Sequence, residues 1–162
     1  MQFTQKLTLL AALVASAVAI ERPKGGPDGL YIAEVDANGD EKLTYVGPGN
    51  TTVPHTLTAR ASTGPFCQSV QASASDISNA EHALANFFGG GTSFFGSSVS
   101  MYSGSAVAYG CNYGNGQTMS SQEFLGYVSV LDAKCGGQNA AYYNLPSSKS
   151  SYGRTASSQG FC

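Results

Sequence analysis

Apolar and polar positions in the second half of the chain alternate between a two-residue and a 3.6-residue period, and each change marks an element. Residues 66–71 read as a short strand opened by Gly64-Pro65. Over 76–88, Ile77, Ala80, Leu84, Phe87 and Phe88 share one face of a helical repeat. Asp76, or the capping-box spacing of Ser78 and Glu81, marks its start, and Gly89-Gly90-Gly91 ends it. Two strands follow at 97–103 and 105–113, joined by a Ser103-Gly104 turn. The second of these puts Val107, Tyr109, Cys111 and Tyr113 on one face, with the small Ala106, Ala108 and Gly110 on the other. A second helix is predicted over 121–135. Ser120 and Glu123 form its capping box, and Phe124, Val128, Leu131 and Cys135 its inner stripe. Gly126 inside it points to close approach of a neighbour, and Gly136-Gly137 stops it. Residues 139–145 form a Tyr-rich strand, and Pro146 to Lys149 turn the chain into a last segment at 150–155.

The order β-α-β-β-α-β predicts an α+β, ferredoxin-like sandwich: a four-stranded antiparallel sheet in spatial order 4-1-3-2 with two helices on one face. Upstream, residues 30–36 and 41–46 flank Asn38-Gly39, a pair suited to the positive φ angles of a tight hairpin. The run from Asp36 to Asp40 also resembles the opening of a calcium loop. Its twelfth position is Gly47 in place of the bidentate Glu, so the hairpin is preferred.

The N-terminus carries an address. Lys6, the apolar run over 7–18 and the small-x-small Ala17-Val18-Ala19 read as a signal peptide over 1–19, too short to span a bilayer. The expected mature chain begins near Ile20, is secreted to the extracellular space and has no membrane span. In that compartment Cys67, Cys111, Cys135 and Cys162 read as two disulfides, since zinc would need closer Cys pairs. Sequence does not decide among the three possible connectivities. In the expected sheet Cys67 and Cys111 share an edge, while Cys135 lies roughly 22 Å along its helix. That layout favours Cys67–Cys111 with Cys135–Cys162. The sequon at Asn50 marks a glycosylation site on a loop. Residues 20–60 hold no cysteine but six of the ten acidic residues, so they are set apart as an N-terminal segment and possible pro-segment. Residues 61–162 form the disulfide-stapled core domain.

Composition narrows function mainly by exclusion. Charged residues make up 11% of the 162-residue chain and the net charge is −2, which argues against nucleic acid as a partner. No nucleophile elbow occurs, His82 reads as a solvated helix residue, and His55 lies in a loop. Asp76, Glu81, Glu123 and Asp132 are the only carboxylates in the core, and Glu81 and Glu123 read as caps. A small secreted ribonuclease, which would need Glu123, Arg154, His55 and His82 together, is the enzymatic rival. No cofactor or metal is expected. With nine Tyr and no Trp, the aromatics either fill the sheet or offer a binding surface, for which Tyr102, Tyr142 and Tyr152 are the candidates.

The segments Phe66-Cys67, Val107 to Gly114, the capped helix running into Cys135-Gly136-Gly137 and terminal Phe161-Cys162 together resemble small secreted effectors of fungi. The nearest groups are Ecp2-type necrosis-inducing effectors and KP6-type killer toxins, over residues 61–162. The resemblance implies a virulence or toxin role, exerted on a host or competitor cell without catalysis. The chain lacks the dibasic processing sites of such proteins, with Arg22 and Arg60 as single-basic candidates. The expectation is therefore a non-enzymatic effector-like protein that binds a host or competitor protein. A wall-associated glycan-binding protein is the alternative.

Overall fold

The computed structural model describes residues 20–38, 40–48 and 63–162. The expected leader, the sequon at Asn50, His55 and Arg60 lie outside them. The described elements are β1 (Gly29–Val35), β2 (Glu41–Gly47), β3 (Gly64–Gln71), α1 (Ala74–Phe88), β4 (Thr92–Phe94) and β5 (Ser98–Ser103). They continue with β6 (Ala106–Asn112), β7 (Gln117–Met119), α2 (Ser121–Cys135), β8 (Asn139–Leu145) and β9 (Ser150–Ala156).

Seven strands form one antiparallel sheet in the order β2-β1-β5-β6-β9-β8-β3, and β4 pairs with β7 in a small second sheet. The expected four-stranded ferredoxin-like sandwich is thereby corrected. Three strands outside that scheme, β1, β2 and β9, enlarge the sheet. β9 returns from β8 through a three-residue 3₁₀ turn, Pro146–Ser148, and inserts between β8 and β6, where β3 was expected. β3 is left at the edge, paired with β8 alone. At the other side β1 pairs with β5, because its alternate residues are apolar in both directions. Leu30 faces the helices, and Tyr31 and Ala33 face away from them. The hairpin of residues 29–47 is thus continuous with the sheet of the downstream domain.

Both helices cover one face. Ala80, Leu84 and Phe88 of α1 and Phe124 and Leu131 of α2 bury against Val99, Met101, Ala108 and Tyr152. The small residues of β6 face α1, as close packing of a helix on a sheet requires. α2 begins at the predicted Ser120 cap, whose hydroxyl accepts from Glu123 N at 3.2 Å. α1 begins two residues earlier than predicted, after Ser73, and Asp76 is not its cap. The Asp76 carboxylate instead accepts from Ser105 N and Oγ, at 2.9 and 2.7 Å, tying the helix to the β5–β6 turn. Gly126 has open space where a Cβ would stand, so it marks no close contact.

The disulfides also differ from the favoured pairing. Cys67 bonds Cys135, and Cys111 bonds Cys162, with Cα–Cα distances of 5.4 and 5.6 Å. With β8 and β9 between them, β3 and β6 stand three strand spacings apart, roughly 14 Å. That exceeds any disulfide span. Cys67 therefore meets the C-terminus of α2, which packs over β3 and β8. Cys111 points away from the helices and takes the C-terminal tail.

Candidate functional site

Among the described residues, no helix or second sheet layer covers the face opposite the helices. Ile20 and Phe161 cover part of it as a strap, exchanging backbone hydrogen bonds of 3.0 and 3.3 Å. The Cys111–Cys162 bond anchors the tail, and Phe161 stacks on Tyr109 with ring centroids 4.6 Å apart. Arg22 lies over the Tyr102 ring at 5.0 Å and pairs with Asp28 at 2.9 Å.

Strand register sets the shape of the uncovered remainder. One transverse row on this face runs Tyr45, Tyr31, Ser100, Tyr109, Gly153, Tyr142, Phe66, one residue from each of the seven strands. The adjacent row runs Ser98, Cys111, Ser151, Asn144, Gly64. In these two rows β9 therefore gives this face the small Ser151 and Gly153 between the larger residues of β6 and β8. Its bulky residues, Tyr152 and Arg154, point to the helices. Gly153 is required by close approach of β8: a Cβ there would collide with Ala141 O and lie 2.7 Å from Tyr142 Cβ.

An open cleft of about 470 Å³ lies over this trough, within the usual range of small-ligand sites. Its aromatic walls are Tyr109 and Phe161 on one side and Tyr142 on the other, with Tyr113 at the rim. Phe66 stacks behind Tyr142 with centroids 5.2 Å apart and planes inclined by 15°. Tyr113 is 53% exposed and its hydroxyl is fixed by Ser151 Oγ at 3.0 Å. Gln68 and Asn144 supply the amides, and Gly160 and Cys162 complete the lining. Among the described residues, no lining side chain is that of Asp, Glu, His, Lys or Arg. Burial raises the pKa of the Tyr109 phenol, which stays neutral.

The predicted surface tyrosines separate. Tyr142 lines the cleft. Tyr102 is 2% exposed, buried beside Arg22 and Tyr31. Tyr152 is fully buried under the helices, against Phe88, Phe124 and Tyr127. Both are corrected: strand alternation turns Tyr152 inward, and the N-terminal segment closes over Tyr102. Gln68, Asn144, Ser151 and Phe161 were not foreseen. Their only sequence signal is the size alternation along 150–155, which has no meaning until the neighbouring strands are known.

The polar groups weighed for catalysis lie elsewhere. Arg154 is fully buried between sheet and helices, donating to Glu81 at 2.8 Å and Asp132 at 2.6 Å. It also donates to the backbone oxygens of Asn139 and Gly136. Glu81 is thus an ion-pair partner in the core and not a cap, and burial raises its pKa against the pull of Arg154. Glu123 accepts from Tyr127 at 3.0 Å, and exposed His82 is bonded to Ser78 O at 2.8 Å. The described part of the ribonuclease constellation is therefore not assembled.

A second depression, of about 460 Å³, lies beside Val35, Phe95 and Asn112. It is walled mainly by connecting backbone, whereas the first is built on strands with tethered rings. Among the described residues no cluster of His, Cys, Asp and Glu is placed to hold a metal ion, and no helix is long and apolar enough to cross a membrane. No protein-family model, curated protein or solved structure matches the chain.

Proposed function

We propose that the protein is an exported, effector-like binding protein that acts without catalysis, with the cleft beside Tyr142 as its contact surface. The observation that carries this reading is the lining itself. Tyr109 and Tyr142 on strands, Phe161 on the disulfide-anchored tail, and amides and hydroxyls between them make a preorganised recognition surface. Its described side chains include no carboxylate, imidazole, amine or guanidinium, the groups that acid–base catalysis near neutral pH mostly uses. Two disulfides suit a protein working in an oxidising, extracellular setting.

Retention tests the reading. Purified protein is expected to be held by a host extract or by insoluble wall polymer, and Tyr142→Ala to lose most of that retention with its melting temperature little changed. Equal retention of the variant would move the contact surface elsewhere. RNA cleavage at catalytic rates, abolished by His82→Ala, would overturn the non-catalytic reading.

A further inference from the structure

We infer that the cleft takes a neutral oligosaccharide, an inference that rests on the cleft being the contact surface. Three features of the site select this chemistry. The first is charge: among the described residues, no acidic or basic side chain lines the cleft apart from the phenols. A nucleotide, an acidic peptide or an anionic headgroup would surrender its hydration there without a counter-charge. The second is the type of polar group. Gln68 and Asn144 each offer a donor and an acceptor a short distance apart, as Ser151 and the phenols do through single hydroxyls. Neighbouring hydroxyls of a sugar present the same alternation of donor and acceptor. A hydrocarbon ligand would leave these groups unpaired.

The third is the aromatic arrangement. Tyr142 is half-buried and backed by the parallel ring of Phe66, so it cannot easily turn away. Tyr113 is held by Ser151. The faces of such rings are electron-rich and attract the weakly positive C–H groups of a pyranose face. Rings fixed in advance lose little entropy when a ligand settles on them. The cleft is an open trough along β9 and not a closed pocket, which fits internal residues of a chain better than a free monosaccharide. A peptide would use a different part of the molecule, the edge strand β3, by adding a strand.

The test is an amide NMR titration of the full disulfide-bonded protein with soluble chito-oligosaccharide, laminari-oligosaccharide and manno-oligosaccharide. Oligogalacturonate serves as the charged control. At least one neutral sugar is expected to shift amides of residues 142–144, 151 and 160–162, and the control to leave them in place. Tyr142→Ala should weaken that binding by about tenfold or more, as loss of an anchoring ring does. Tyr142→Phe should retain most of it. Should Tyr142→Ala fail to fold, Gln68→Ala and Tyr113→Ala, at exposed positions, should each weaken binding several-fold. Absence of shifts with every neutral sugar, or equal affinity of the variants, overturns the inference. Cleft-dependent retention on a host protein without sugar shifts would refute the sugar and leave the contact surface standing. Retention indifferent to Tyr142 would refute both.

Discussion

The two faces of the sheet are built from the same strands and finished in opposite ways. The helix-covered face is sealed by two 15-residue helices and keeps one cation, Arg154, wholly inside. Among the described residues, the tail-covered face is closed where Ile20, Arg22 and Phe161 lie across it. β9 makes the difference, sending Tyr152 and Arg154 to one side and Ser151 and Gly153 to the other. Its large residues complete a core, and its small ones leave a trough between two aromatic walls. Stability is concentrated on one face and accessibility on the other.

Breaking the helix-covered face should have the largest effect. Arg154→Leu leaves the Glu81 carboxylate buried without its partner, which costs roughly 3–5 kcal/mol in chemical denaturation. The sign with pH follows from Glu81. Burial raises its folded pKa, so in the variant it stays protonated, and costs least, in acid. The deficit should therefore shrink as pH falls from neutral through that raised pKa. A deficit that grows in acid would contradict the assignment.

The disulfides sharpen the contrast. Replacing either pair by Ser should lower stability by roughly 2–4 kcal/mol, since they close spans of 68 and 51 residues. Only Cys111→Ser with Cys162→Ser frees the tail, so only that variant should lose cleft-dependent retention. Loss of retention in the Cys67 and Cys135 pair instead would mean that the edge strand, not the tail, shapes the site.

Smaller effects test how each helix is tied in. Ser120→Ala should cost about 1 kcal/mol through the lost cap, read as a shift in denaturation midpoint. Asp76→Asn should destabilise by less. Hydrogen bonds from Ser105 lower the Asp76 pKa, so its contribution is present above the usual carboxylate range. It disappears as pH falls through the lowered value, where wild type and Asp76→Asn should converge in thermal melts.

Local structure was far more legible in the sequence than assembly. The 3.6-residue stripes of Ile77 to Phe88 and Phe124 to Cys135, the Ser120 cap and the paired apolar runs at 30–36 and 41–46 are short-range signals, and the helices and the hairpin appear where they point. The hairpin turns through an Asp36 side-chain loop to Asp40, and Asn38 does not take the expected positive φ. The sheet order is a long-range property. The segment 150–155 reads equally well as a terminal appendage or a central strand, because Arg154 looks like a surface residue until Glu81 and Asp132 are seen beside it. That single ambiguity moved β3 to the edge and with it the partners of Cys67 and Cys111. It also concealed the site. Tyr142 and Tyr152 are both tyrosines in alternating strands, and only the strand partners show that one faces a cleft and the other a core.

Hydroxyl-radical footprinting of the free protein, and of protein held on chitin or β-glucan particles, tests the asymmetry most directly. In the free protein, Phe66, Tyr113 and Tyr142 should label rapidly, while Tyr102, Tyr109 and Tyr152 stay protected. On the particles, protection should appear at Tyr113 and Tyr142 and leave Val130, an exposed residue on α2, unchanged. Protection centred on Val130, with Tyr142 labelling as fast as before, would contradict the account.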